Sequence, residues 1–326
     1  MSRRHTLLGL LVAVIWGANF VIIDAGLDQF PPLLFAALRF TFVAFPAVLF
    51  IKGPGARWTH VAAIGLLQGV GQFGLLFTGM HLGVPPGLAS LVLQGQAAFT
   101  VLFAFLFLRD RPRPAALVGV MLGVLGLVII AADAGKAPLG ALLIVVSAGA
   151  CWAAANVATR IARPTSGFRL TVWSALAAPV PLFLLSLFLE GPQRDWKAVA
   201  HVNGTGLGAL VFTVVLSSLV AFGIWASLLK SNSAASVGSF SLLVPVVGVI
   251  TAWLVRHEVP STTELAGGLL ILAGVTVVIR PDLLHGLRRS PGRAGSIAEP
   301  SAAQDDGLAR TSSESATSPG IDISTK

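Results

Sequence analysis

Six primary amides stand in parts of this chain that are otherwise apolar: Asn19, Gln68, Gln72, Gln94, Gln96 and Asn156. Each carboxamide carries two donor hydrogens and an acceptor oxygen. Left unpaired in an apolar medium, such a group costs about 2–7 kcal/mol, so these side chains are expected to turn inward. Gln68 and Gln72 are one helical turn apart and share a face. Two chemistries are open to the set. The amides could line a cavity suited to a small polar or zwitterionic ligand, with Asn19, Gln72, Gln94, Gln96 and Asn156 as its wall. They could equally bond helix to helix, a use worth ~0.6 kcal/mol per bond in membrane bundles. Arg39 is the one charge deep within an apolar stretch. A bare intramembrane arginine costs at least ~2.5–3.5 kcal/mol. It either faces the interior and attracts a substrate carboxylate, or braces the fold by snorkelling or by bonding carbonyls. Trp16 and Trp152, each followed by small residues, are suited to shape a lumen. Ser239 and Ser241 precede Pro245 in SFSLLVP, where the missing proline N–H loosens a helix; their hydroxyls and the freed carbonyl could face a ligand, or the proline could make only a packing kink.

The elements that must position these groups are ten apolar stretches. The first five read as Thr6–Ile23, Leu33–Ile51, Val61–Met80, Gly87–Leu108 and Ala115–Ala132. The second five are Pro138–Thr159, Leu170–Leu189, Gly204–Leu229, Ala234–Val255 and Ser261–Ile279. About 20 apolar residues cross the hydrocarbon core as a helix, and lipid offers no partner for an open backbone. The chain is 55% hydrophobic and 11% charged, against roughly 25% charged residues in soluble domains. The expected fold is therefore an all-α membrane protein of ten transmembrane helices. No small-residue cleavage site follows the basic start, so the first span is expected to remain.

Enzymatic chemistry finds no support. Asp24, Asp28, Asp110, Asp133, Glu190, Asp195, Glu258, Glu264 and Asp282 sit in loops or at span ends, and the other acids lie in the last stretch of chain. His5, His60, His81, His201, His257 and His285 are likewise near span ends. The sequence holds no Walker A run, no HExxH and no GxSxG. No Cys/His/carboxylate spacing suits a metal, so neither cofactor nor metal is expected. The mid-span carboxylate or imidazole that commonly carries a coupled proton is missing too.

The net charge of +8 invites a nucleic-acid reading, but its distribution is topological. With the N-terminus inside, Arg3, Arg4, Lys52, Arg57, Arg109, Arg111, Arg113, Arg160, Arg163, Arg169, Lys230, Arg280, Arg288, Arg289 and Arg293 fall on that side. Only Lys136, Arg194, Lys197 and Arg256 fall on the other. The positive-inside rule then expects both termini in the cytoplasm, with the basic excess available to anionic lipid head groups and no nucleic-acid partner. Cys151, alone in a span, is a small apolar helix residue. Gly119 and Gly123 form GxxxG, a close-approach signal that serves internal packing or a homodimer.

The chain also repeats itself. Gly87–Ile130 aligns with Ala235–Val278 at a constant offset of 148 residues. Gly119, Leu122 and Gly126 fall on Gly267, Leu270 and Gly274, and Asp110 falls on Glu258. Trp16-Gly17-Ala18 matches Trp152-Ala153-Ala154. Five spans per copy is an odd number, so the second copy enters from the opposite side and the halves are inverted repeats, a transporter design. The expected organisation is a first repeat over 1–133, a short polar link, a second repeat over 138–281, and a disordered cytoplasmic tail over 290–326. That tail is rich in Ser, Ala, Gly and Thr and too poor in large apolar side chains to fold.

Three runs carry a family resemblance: WGANFVIIDAGLDQFPPLLFAALRF, PPGLASLVLQGQAAFTVLFAF and SFSLLVPVVGV. Together they resemble the EamA-type drug/metabolite transporters, most closely the bacterial branch that exports cysteine and O-acetylserine. The likeness spans nearly all of residues 6–280. It implies two inverted five-helix halves, export across the bacterial inner membrane by alternating access, and a central cavity built from the first, third, fourth, sixth, eighth and ninth spans. Asn19, Gln72, Gln94, Gln96, Trp152 and Asn156 lie in those spans. The chain departs from the family at Arg109-Asp110-Arg111, where relatives often carry Gly-Glu, so no gating role passes to Asp110. Within the resemblance the cargo is expected to be a small amino-acid-like metabolite, against broad drug or purine efflux. A non-transporting membrane receptor or assembly factor is the reading from another class.

Overall fold

The computed structural model describes residues 1–45, 47–132, 137–232 and 234–279. The expected tail, Arg280 and Asp133–Lys136 of the expected link lie outside the described residues. Ten apolar helices long enough to span a bilayer are present among the described residues: α1 (Arg3–Leu27), α2 (Pro32–Phe50), α3 (Trp58–His81), α4 (Pro86–Leu108), α5 (Pro114–Ala132), α6 (Leu139–Ala162), α7 (Gly167–Leu189), α8 (Gly204–Ser231), α9 (Ser236–Arg256) and α10 (Thr262–Ile279). Five fall in each half, so the second half is inverted relative to the first.

Local sequence sets the ends. Ser2, Ser166 and Asn203 cap α1, α7 and α8, each side-chain oxygen accepting a backbone N–H from the first turn. Prolines open α2 and α4, where a missing N–H costs nothing. Helices α4 and α9 both close on a non-glycine residue in the left-handed region, Arg109 and His257, each with φ 55°. Their N–H groups bond back to Ala104 and Ala252. These two residues are in the same repeat register, so the duplication extends to the backbone of the cap.

The interior is apolar, as in a water-soluble fold, but the surface is apolar too and several polar groups lie inside. Large apolar residues such as Phe107, Met121, Phe188 and Leu269 are exposed, while Asn19, Arg39, Gln72 and Gln94 are buried. Lipid is as apolar as leucine, so helix association rests on close packing and polar contacts. Helices α5 and α10 show the first. A Cβ on Gly119 would stand 2.6 Å from the Gly274 carbonyl, and one on Gly126 would stand 2.5 Å from that of Gly267. The GxxxG of α5 thus faces its repeat partner α10 inside one chain.

Several helices are not regular. Helices α3 and α8 contain wide π-helical turns at Leu66–Gly74 and Phe212–Val220. Helix α4 is interrupted between Leu93 and Gln96, and α9 contains a 3₁₀ turn at Ser239–Leu242. These four lie in the third and fourth helices of the two repeats; the second helices are irregular too, with extended backbone at Phe45 in α2 and a 3₁₀ turn at Ala175–Ala177 in α7. One element was not expected from the sequence: a short polar helix, Pro192–Ala200, in the loop before α8.

Candidate functional site

The interruption of α4 and the 3₁₀ turn of α9 meet. Pro245 has no N–H, so the Ser241 carbonyl four residues earlier loses its α-helical donor. Gln94, at the interruption of α4, donates to that carbonyl from Nε2 at 3.3 Å. The repeat offset carries Gln94 onto Leu242, so the two irregular points of the inverted halves are held together by one carboxamide. Unwound backbone that lines a cavity or faces protein is the only kind a bilayer tolerates.

Next to this junction, Gln96 Oε1 accepts from Asn156 Nδ2 of α6 at 3.2 Å, while Thr100 Oγ1, 3.3 Å away, gives its proton to the Gln96 backbone carbonyl at 2.8 Å. Gln96, Asn156 and Trp152 are all half-buried, with Gln96 and Asn156 joined across α4 and α6. The Ser239 and Ser241 hydroxyls, expected to be free for a ligand, donate within their own turn to the Ser236 and Gly238 carbonyls at 2.8 and 2.7 Å. Their oxygens retain only acceptor capacity. Trp16 of α1 donates its indole N–H to the Ser217 carbonyl at 3.0 Å and packs at 5.1 Å against both Phe222 and Trp225. It ties α1 to the π-helical stretch of α8.

Two expected amides are less committed. The side-chain oxygens of Asn19 in α1 and Gln72 in α3 are buried and accept no hydrogen bond among the described residues. A buried unpaired acceptor costs about 1–3 kcal/mol, so both are poised to accept from a donor.

Arg39 lies elsewhere. It sits in α2 within a pocket walled by α3, α7 and α8, with Gln68 of α3 beside it. The structure therefore separates it from the junction of α4, α6 and α9.

Residues that carry the ends of the bundle were not singled out as site residues. Where α1 finishes, Arg256 binds Asp24 at 2.6 Å and Asp28 at 2.9 Å. Glu258 accepts from the first amides of α4, Gly87 at 2.9 Å and Leu88 at 3.3 Å. At the opposite end, Asp110 pairs with Arg160 at 2.8 Å. The match of Asp110 with Glu258 in the repeat was the available signal. Among the described residues, no three His, Cys, Asp or Glu side chains gather as a metal site would require.

Comparison with known proteins adds identity to this geometry. The profile of the EamA-like transporter family matches residues 4–132 and again residues 139–280. The chain is 36% identical to a "probable amino-acid metabolite efflux pump" of Salmonella typhimurium, over 85% of this chain and 95% of that protein. It is 35% identical, with the same coverage, to the protein of the same description from Escherichia coli K12. A solved crystal structure shares the fold, with a TM-score of 0.59 and 24% identity over 89% of this chain and all of the other.

Proposed function

The chain belongs to the EamA-like transporter family, and on that premise we propose that it exports a small amino-acid-like metabolite, of the cysteine or O-acetylserine kind, across the bacterial inner membrane by alternating access. The observation that carries this reading is the Gln94–Ser241 bond between the irregular points of α4 and α9. Irregular helices at the interface of inverted repeats are where transporters hold their cargo. Gln94, Gln96 and Asn156 then supply donors and acceptors to the cargo's polar atoms. Asn19 and Gln72 offer two unpaired oxygens to its ammonium group, and Trp16 and Trp152 bound the space. Binding at neutral amides suits a cargo that must also leave, because no charge within the junction of α4, α6 and α9 holds it. Both termini face the cytoplasm, as the Lys and Arg distribution supports. The chain is read as a carrier driven by the metabolite gradient and not as an enzyme; the lack of a mid-span carboxylate supports this form of driving force.

The test is a double substitution, Gln94→Ala with Asn156→Ala, in cells overproducing the chain. Release of cysteine-pathway metabolites to the medium should fall at unchanged membrane level. Normal release would remove these amides from the cargo site.

A further inference from the structure

Arg39 is 1% exposed, yet among the described residues no carboxylate pairs with it. The described acids are engaged elsewhere: Asp24 and Asp28 on Arg256, Asp110 on Arg160. Glu190 accepts from the Leu33 and Leu34 amides, and Ser186 lies at 2.9 Å from Asp195. Glu258 caps α4, and Glu264 accepts from the Ser261 amide in a capping box. What holds the guanidinium is neutral. Nε and Nη2 both donate to Ser218 Oγ, at 3.3 and 3.1 Å, and the Phe73 ring lies 4.0 Å away. Ser218 is fixed as an acceptor because its own proton goes to the Thr213 carbonyl at 2.8 Å, five residues back in the π-helical turn. Nη1 has no partner.

The same arginine lines a cavity of about 20 Å³ with Gln68, Thr171, Ser174 and Ser218. A water needs ~10–15 Å³ of such space. The cavity therefore accepts one or two heavy atoms, and a tetrahedral oxyanion does not fit without rearrangement. A desolvated cation is strongly stabilised only by an opposite charge or a full set of acceptors, and Nη1 is buried without an acceptor on a residue that lines this hydroxyl-walled cavity.

We infer that this pocket, between α2, α3, α7 and α8, binds a small monovalent anionic group: a halide-sized ion or one end of a carboxylate. The inference does not rest on the cargo assigned above, because it is read by binding without transport. Only the carboxylate source leans on that assignment.

The experiment is thermal unfolding of the purified full chain in detergent, at constant ionic strength, with sodium methanesulfonate, whose tetrahedral sulfonate does not fit the cavity, as the reference salt. Chloride and bromide should raise the unfolding temperature saturably, by about 2–4 °C, and sulfate should not. Cysteine against cysteine methyl ester distinguishes the sources: a shift with cysteine alone, without one from chloride, assigns the pocket to a cargo carboxylate. Arg39→Gln should abolish the shift. Ser174→Leu, which fills the cavity and leaves Arg39 in place, should abolish it as well. The wild-type selectivity needs no variant, so poor folding of either substitution leaves the test intact. Equal unfolding temperatures in every salt and with both cysteine forms would mean that the pocket holds only water. A shift that persists in both variants would place the anion elsewhere. Either result overturns the inference.

Discussion

The fourth helices of the two repeats, α4 and α9, share register, an irregular centre and a left-handed last residue, but they differ in how their ends are held. Where α1 finishes, the Glu258 carboxylate accepts two amides of α4, and Arg256 clasps Asp24 and Asp28 of α1. The opposite end has the repeat-matched Asp110, bound to Arg160 of α6. The roles are swapped as well: in the clasp between α1 and α9 the fourth helix brings the cation, and in the clasp between α6 and α4 the acid follows the fourth helix. Solvent separates them further. The Arg256–Asp24 side chains are 34% and 27% exposed, those of Arg160–Asp110 56% and 53%. Exposed pairs contribute ~0–1 kcal/mol, whereas charge-assisted bonds to helix amides contribute ~1.5–3 kcal/mol. One fold module used twice is thus held by a partly shielded ion cluster at one end and a more exposed pair at the other, where Arg169 and Trp173 of α7 also donate to the Lys52 and Gly53 carbonyls.

Substitutions can break that asymmetry, and their effects should fall in a fixed order. Glu258→Ala strips two amides of α4 of their acceptor and should cost about 2–3 kcal/mol, read as the largest drop in unfolding temperature of the purified chain. Arg256→Ala leaves Asp24 half-buried without its cation; with the pair a third exposed, the expected loss is about 1 kcal/mol. Labelling of a cysteine introduced at Phe30, which is buried at that end, should rise in both variants. Arg160→Ala should change unfolding by less than ~0.5 kcal/mol. A larger loss from Arg160→Ala than from Arg256→Ala would reverse the assignment of tight and loose ends.

How far the chain could be read without coordinates follows from the range of each interaction. The ten spans were legible because each is a local run of apolar residues, and the boundaries moved little: α1 begins at Arg3 instead of Thr6. The duplication was legible because Gly119, Gly126 and Asp110 recur at one offset. Pro245 announced a freed carbonyl, since a proline acts on its own helix. What Gln94 does with that carbonyl was not legible, because the bond spans two helices from different repeats. The same holds for Ser218, an unremarked hydroxyl in an apolar run that becomes the acceptor for Arg39 only when α8 widens into a π-helical turn. The GxxxG of α5 announced close approach without naming α10 as the partner. The short helix Pro192–Ala200 escaped notice because its polar composition gives no apolar run.

The central claim is that the amide junction of α4, α6 and α9 handles the cargo. It is tested most directly by efflux of labelled cysteine and O-acetylserine from proteoliposomes containing the full chain, wild type against Gln94→Ala with Asn156→Ala. Losing two hydrogen bonds of ~1 kcal/mol each predicts a fall in initial rate of at least about tenfold, at equal reconstituted protein. Equal rates for the two proteins would contradict the account.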